Sequence, residues 1–307
     1  MKNFELPQIP NEELFFKEIE EKGVRLCIKR EDIIHPFISG NKYRKLKYNL
    51  AEASRSNQNT LLTFGGAFSN HIAAVAQAGE TFGFKTIGVI RGDELEAKVP
   101  QNPTLSFARS KGMHLTFISR EEYRRKDEAF YIEKLHNHFG KFYLIPEGGT
   151  NPMAVKGCEE ILTENDKSFH YITCSVGTGG TIAGLINSSA ISQQVLGFPA
   201  LKGGFLNKEI CKFATGDNWR LLNDYSFGGY AKVTGNLISF INLFYKATGV
   251  PLDPVYTGKM MFGILDLIKK GYFKRGTEIL SIHTGGIQGV SGMNKKLKKK
   301  NLPLICI

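Results

Sequence analysis

Short apolar runs alternate with stretches of helical spacing along most of the chain. Seven of the runs read as strands: Thr60–Phe64, Lys85–Ile90, His114–Ile118, Phe142–Ile145, Tyr171–Val176, Val195–Phe198 and Glu278–His283. Between them the spacing changes to that of helices; Tyr43, Leu46, Leu50 and Ala53, for example, fall on one helical face. Strands that alternate with helices predict an α/β architecture with parallel sheets covered on both sides. There is no internal repeat, no low-complexity linker and no sharp domain boundary. The length of 307 residues allows two domains or one large one. Sheets of this kind bind ligands at the carboxyl ends of their strands. Glycine pairs stand at those places in Gly65-Gly66, Gly148-Gly149, Gly177-Thr178-Gly179-Gly180 and Gly285-Gly286. One such loop is an ordinary tight turn; four of them suggest backbone packed closely around a bound molecule.

Composition narrows the class. With 42% hydrophobic and 22% charged residues, the chain can bury a sizeable core and does not read as disordered. No apolar run approaches the roughly 20 residues needed to span a bilayer. The start, MKNFELPQIPNEELFF, carries acidic residues and prolines where a signal peptide needs an apolar stretch. The five cysteines, Cys27, Cys158, Cys174, Cys211 and Cys306, are scattered and never spaced C-x-x-C, which fits a reducing cytoplasm and no disulfide framework. His136 and His138 form the one close histidine pair, without a cysteine or carboxylate at ligand spacing, so no metal site is expected. The formal charge of +11 raises the question of nucleic acid. Part of the excess sits in the run Lys295 to Lys300, which also reads as a solvated helix end suited to the helix dipole. Aromatic and basic residues are not interleaved as in a recognition module, so nucleic acid is not an expected partner. The remaining positive charge favours anionic substrates.

Three segments carry candidate chemistry. Ser175-Val176-Gly177-Thr178-Gly179-Gly180-Thr181 follows a strand and opens a helical pattern. Its glycines let backbone N–H groups turn inward, the helix presents its positive end, and Thr178 and Thr181 add hydroxyls. That makes a phosphate cup, although a glycine turn capping a helix has the same pattern. It is neither a Walker loop nor the dinucleotide G-x-G-x-x-G, so a monophosphate-bearing cofactor fits better than a nucleotide. Lys29-Arg30-Glu31-Asp32 precedes Ser39-Gly40-Asn41-Lys42-Tyr43-Arg44-Lys45-Leu46. By spacing alone Lys42 is one lysine on a basic helix start, and most such lysines are merely solvated; at that place the dipole would lower the amine's pKa and favour its nucleophilic form. Ser69-Asn70-His71 begins an alanine-rich helix, where Ser69 or Asn70 can be a cap and the same helix start receives a carboxylate.

Taken in order, Lys-Arg-Glu-Asp, Ser-Gly-Asn-Lys-Tyr-Arg-Lys-Leu, Gly-Gly-Ala-Phe-Ser-Asn-His and the glycine cup resemble one family, the 1-aminocyclopropane-1-carboxylate deaminases and D-cysteine desulfhydrases. The resemblance runs from about Lys29 to about Gly289. It implies a pyridoxal-phosphate enzyme of fold type II, like the tryptophan synthase β-subunit, with two open parallel-sheet domains and the cofactor between them. The larger domain would hold residues 1–44 and 150–307, and the smaller, inserted one residues 45–149. By the same resemblance Lys42 matches the lysine that carries pyridoxal 5'-phosphate as a Schiff base. Lys45 and the loop from Gly177 through Thr178, Gly179 and Gly180 to Thr181 match the phosphate binders. Asn70 matches the amide at the cofactor's ring oxygen, Ser69 the serine facing the substrate, and Tyr230 and Tyr256 the active-site tyrosines. Read without the resemblance, the two tyrosines are equally half-buried core aromatics. A homodimer is usual in the family.

Two positions separate its subgroups. The deaminases place a glutamate, paired with the pyridine nitrogen, where this chain has Thr257, and a leucine where it has Thr284. A hydroxyl offers that nitrogen a hydrogen bond but no charge, which weakens the ring as an electron sink. That suits β-elimination of a good leaving group better than opening a cyclopropane. The expected reaction is therefore conversion of D-cysteine to pyruvate, ammonia and sulfide. Lys42 would remove the α-proton, Ser69 and Asn70 would hold the carboxylate, and Tyr256 or Tyr230 would position or protonate the leaving group. The preference for the D enantiomer rests on the resemblance alone. The competing expectations are deamination of 1-aminocyclopropane-1-carboxylate to 2-oxobutanoate, elimination from other β-substituted alanines, and, from a different class, a basic nucleic-acid-binding protein.

Overall fold

A computed structural model describes residues 7–307; residues 1–6, the first part of the N-terminal stretch read above, lie outside it. In chain order come β1 (Asn11–Leu14), α1 (Lys17–Lys22), β2 (Arg25–Lys29), α2 (Asn41–Arg55), β3 (Thr60–Gly65), α3 (Asn70–Phe82), β4 (Lys85–Arg91), α4 (Pro103–Ser110) and β5 (His114–Ile118). There follow α5 (Arg120–Tyr123), α6 (Ala129–Phe139), β6 (Tyr143–Ile145), α7 (Pro152–Glu159), β7 (Tyr171–Val176), α8 (Gly180–Ser188), β8 (Gln194–Pro199) and α9 (Phe205–Cys211). The remainder is β9 (Trp219–Leu221), α10 (Gly235–Thr248), α11 (Thr257–Lys269), β10 (Glu278–Ile282) and α12 (Gly289–Lys299). No helix among the described residues is long and apolar enough to cross a membrane.

The strands form two sheets. One has six strands in the order β1-β2-β10-β7-β8-β9, the other four in the order β5-β4-β3-β6. All seven strands expected from the apolar runs are present. The four-stranded sheet is parallel throughout. The larger sheet is likewise parallel except at its edge, where β1 runs antiparallel to β2. Strands β1, β2 and β9 have no counterpart among the expected ones, for a physical reason in each case. In β1 only Leu14 is buried, and β9 is three residues long, so neither offers an apolar run. In β2 the charged Arg25 and Lys29 leave an apolar run of only three residues between them, and Lys29 is buried as the partner of Asp166, 3.0 Å away.

Alternation along the central strands sends side chains to both faces of the larger sheet. Leu26, Ile28 and Ile279 pack with Ile241 and Phe244 of α10 and Met260, Met261 and Ile264 of α11. Cys27, Ile172, Cys174 and Leu280 pack with Ile182 and Leu185 of α8 and Ile210 of α9. Burial on both faces is what parallel strands require. The same holds in the smaller sheet, where Leu61 and Ile90 face α2, α3 and α4 while Leu62, Phe64 and Val89 face Tyr123, Tyr131 and Leu135.

Two glycines set the helices over the second face of the larger sheet, the one covered by α8 and α9. A Cβ on Gly157 of α7 would lie 2.0 Å from the Arg44 carbonyl of α2, and one on Gly184 of α8 would lie 2.5 Å from Cys158 Cβ. Only a missing side chain permits that approach. The Lys-Arg-Glu-Asp segment locks the same region through charge. Glu31, fully buried, takes a bidentate pair from Arg44 of α2 at 2.7 and 2.9 Å, and Arg30 bridges Asp32 and Glu12. Deleting one partner of such a buried pair costs about 3–5 kcal/mol, because the other is left uncompensated. Thus the segment that carries much of the sequence resemblance does so by positioning the start of α2.

Candidate active site

The start of α2 is pressed against the loop that follows β10. Gly40 has φ +62°, and a Cβ there would fall 2.0 Å from the Thr284 carbonyl oxygen. Lys42, the second residue of α2, is half-buried and donates from its amine to Asn41 Oδ1 at 3.0 Å. Burial lowers its pKa to about 7, with the charge of Lys45 adding to the effect and Cys158 and Asp253 opposing it. Sequence reasoning attributed the depression to the helix dipole; in the structure desolvation and a neighbouring cation are its principal causes.

One turn further on, Lys45 is buried, and its ammonium donates to the Gly148 carbonyl and to Thr150 Oγ1, both at 3.0 Å. Thr150 Oγ1 is in turn 2.6 Å from Thr178 Oγ1. The Gly177–Gly180 loop closes around these groups. A Cβ on Gly180 would meet Thr150 Oγ1 at 2.8 Å, one on Gly177 would lie 3.2 Å from the Tyr256 ring, and Gly179 holds φ +88°. Thr181 is buried, and its Oγ1 accepts from Asn41 Nδ2 at 2.7 Å, so it ties α8 to α2. Lys45 is thus a buried cation whose hydrogen-bond partners are neutral oxygens, a costly arrangement without an anion nearby. A phosphate monoester in the glycine cup, at the start of α8, would supply that anion. The donor set fits pyridoxal phosphate: a cup and a cation for the phosphate, and a neutral amine at Lys42 for the aldehyde.

The opposite wall begins at α3. Ser69 caps the helix, its Oγ accepting from Ile72 N at 3.3 Å. The Asn70 amide and the Asp253 carboxylate converge on Gly286, where a Cβ would lie 3.0 Å from Asn70 Nδ2 and 3.3 Å from Asp253 Oδ2. Asp253 is buried and accepts from the N–H groups of Tyr256 and Thr257. Burial nonetheless pushes its carboxyl up to about 7. Thr257 and Thr284 are both buried. Thr257 Oγ1 accepts from the Asp253 N–H at 2.9 Å, and Thr284 Oγ1 lies 3.0 Å from Ser175 Oγ. The rings of Tyr230 and Tyr256 are 6.2 Å apart at 65°. Tyr256 is half-buried, and burial, reinforced by Tyr230 and Asp253, holds its phenol well above the ordinary range. Tyr230 is 46% exposed at the rim. Its loop is held from below by Lys259, whose buried ammonium donates to the carbonyls of Ser226 and Gly229 at 2.8 Å each.

The structure therefore brings Lys42, Lys45, Asn70, the Gly177–Thr181 loop, Tyr256 and Thr284 to the carboxyl ends of β2, β3, β6, β7 and β10, with Tyr230 joined through Tyr256. Sequence reasoning missed Thr150, Asp253 and Lys259. Thr150 follows a glycine pair already singled out, and Asp253 stands just ahead of a helix, where carboxylates commonly accept backbone N–H bonds. Nothing in the sequence around Lys259 separates it from a solvated lysine.

The family model for pyridoxal-phosphate dependent enzymes matches residues 8–285. The chain belongs to that family. Pyridoxal phosphate is accordingly its cofactor, and its fold is that of the fold-type-II enzymes. A Pyrococcus furiosus protein provisionally named 1-aminocyclopropane-1-carboxylate deaminase is 34% identical over 90% of this chain and 88% of its own length. The mitochondrial bifunctional D-cysteine desulfhydrase/1-aminocyclopropane-1-carboxylate deaminase of Arabidopsis thaliana is 33% identical over 93% of this chain and 75% of its own. The crystal structure of an ACC deaminase homologue superposes with a TM-score of 0.80 at 30% identity, covering 96% of this chain and 94% of that one. The chain is a pyridoxal-phosphate enzyme of the deaminase and desulfhydrase type.

Proposed function

We propose that the chain eliminates the β-substituent of a small amino acid, with D-cysteine giving pyruvate, ammonia and sulfide. The observation that carries this reading is the pair of buried hydroxyls, Thr257 and Thr284, at positions where the deaminase pattern has glutamate and leucine. Bound pyridoxal phosphate supplies an electron sink conjugated to the substrate nitrogen. Lys45 and the Gly177–Thr181 loop would hold its phosphate, and Asn70 would hold its ring. The Lys42 amine, largely neutral above about pH 7, takes the α-proton. Ser69 and the start of α3 hold the substrate carboxylate. Tyr256 keeps its proton throughout the working pH range, and with Tyr230 beside it serves as a donor to the leaving group.

The names of the relatives favour a second reading, deamination of 1-aminocyclopropane-1-carboxylate to 2-oxobutanoate. Sulfide and keto-acid assays on D-cysteine, L-cysteine and 1-aminocyclopropane-1-carboxylate, with the visible spectrum followed in parallel, separate the two. Sulfide and pyruvate from D-cysteine are expected. Faster formation of 2-oxobutanoate from the cyclopropane substrate replaces this reading with the second. The proposal includes a homodimer, residues 45–149 acting as a smaller unit, and a cytoplasmic location. Sedimentation velocity tests the first, and cell fractionation the last.

A further inference from the structure

The rim of the cleft carries a cation that the roles above do not use. Arg91 is the last residue of β4, exposed, at the carboxyl end of the smaller sheet. Its guanidinium lies 5.5 Å from the centroid of the Tyr123 ring. A Cβ on Gly66 would sit 3.5 Å from one of its terminal nitrogens, and the Gly66 carbonyl accepts from Ser69 N at 3.1 Å. The guanidinium therefore touches the very loop that delivers Ser69. Its charge also reaches Tyr230, whose phenol burial raises and Arg91 lowers. No carboxylate among the described residues pairs with it.

A second, independent observation falls at the same place. Tyr123 is 3% exposed, yet its hydroxyl makes no hydrogen bond. A buried O–H without an acceptor is rare in folded proteins and calls for a partner. Glu147 is the acceptor at hand: after burial it is the main cause that raises the Tyr123 phenol, and its carboxylate also approaches Lys126 at 3.4 Å. Lys126 is engaged by Asp127 at 3.1 Å and by Glu147 at 3.4 Å, which leaves Arg91 as the cation of this corner without a carboxylate of its own.

An unpaired guanidinium fork matches a planar carboxylate, and an aromatic face holds it in orientation. The α-carboxylate of the substrate already has a place at the start of α3. The geometry points to Arg91, its guanidinium held over the Tyr123 ring, as a subsite for a second anionic group, a carboxylate carried on the β-substituent of the amino acid. This rests on the β-elimination reading and names its substrate class: β-substituted alanines whose leaving group bears a distal carboxylate.

The test compares O-succinylserine with O-acetylserine, both enantiomers of each, on the reconstituted enzyme. The two esters expel carboxylate leaving groups of similar basicity and differ chiefly in the distal carboxylate. A wild-type preference in kcat/KM for the succinyl ester is expected, carried mainly by KM. In Arg91→Ala that preference falls roughly ten- to hundredfold, in line with loss of a charge-assisted hydrogen bond. Arg91→Lys, which keeps charge without the fork, loses part of it. Equal handling of the two esters by the wild type overturns the subsite, as does a succinyl preference that survives in Arg91→Ala. An equal loss on both esters in Arg91→Ala places Arg91 at the α-carboxylate or in the fold and overturns it too. A wild type that turns over neither ester, nor D-cysteine, overturns the β-elimination reading along with it.

Discussion

At the scale of single residues, Lys42 and Lys45 show one effect put to two uses. Both amines are desolvated, and burial lowers the pKa of each. For Lys42 the consequence is reactivity near neutral pH. Uptake of pyridoxal phosphate by the apo protein should accelerate as pH rises through about 7, where the amine loses its proton. Rates of cofactor uptake between pH 5.5 and 8.5 check this. The same shift has a sign in stability. From about pH 7 up to the ordinary lysine pKa, the unfolded chain holds a proton on Lys42 that the folded apo protein has released, so stability rises with pH across that window. Lys42→Met should flatten this rise in urea titrations of the apo protein. It should also lower turnover by roughly 10²–10⁴-fold, as loss of a general base does. Retention of wild-type turnover in that variant would remove Lys42 from the mechanism.

At the scale of elements, the site depends on how closely three helices approach. With the Arg44 carbonyl only 2.0 Å from the place of a Gly157 Cβ, α2 and α7 cannot both keep their positions if alanine is introduced. Gly157→Ala should cost about 1–3 kcal/mol, read as a lower urea midpoint, by the general cost of overpacking. Gly40→Ala meets backbone at the same distance and in a left-handed conformation, so it should displace the start of α2 and weaken cofactor binding more than it lowers stability. Lys259 acts on a loop. Lys259→Met leaves the Ser226 and Gly229 carbonyls without their donor, and faster amide exchange across residues 226–232 is the expected result. A roughly tenfold fall in kcat/KM should accompany it, the equivalent of one lost hydrogen bond to a charged group. Unchanged exchange in that segment would show that Lys259 does not hold the Tyr230 loop.

At the scale of the whole molecule, the cleft gathers groups from both sheets, so ligand binding joins them. Lys45 and Asn41 sit on α2, Thr150 follows the smaller sheet, and Thr178 and Thr181 follow β7 of the larger one. A cofactor that binds the folded chain alone stabilises it by about 4 kcal/mol at a thousandfold excess over its Kd. Reconstitution should therefore raise the Tm by several degrees, and substitution of Lys45 by Met should shrink that rise. The cationic run at the C-terminal end of α12 belongs partly to the same assembly. Lys295 donates to the Gln101 carbonyl at 2.9 Å and the Lys296 ammonium lies 4.5 Å from the Phe68 ring centroid, so these two lysines dock onto the segment that carries the smaller sheet.

The sequence by itself determined the seven strands with clear apolar runs, the parallel α/β class and the glycine loops at strand ends. The order of its motifs also pointed to the family and the cofactor, because those features rest on local periodicity and on chemistry that only certain residues supply. Only the tertiary structure decided the rest. Strand β2 is hidden in sequence because its Lys29 charge is tolerable only beside Asp166, which lies far along the chain. Strand β1 is an antiparallel edge with one buried side chain, too weak a pattern to read. Lys42 and Lys259 look like ordinary surface lysines until the fold removes water from around them. The hydroxyl of Thr181, expected in the phosphate cup, is engaged by Asn41 from another helix. In each case the deciding term is desolvation, or a partner distant in sequence, and neither is encoded in a residue's neighbours along the chain.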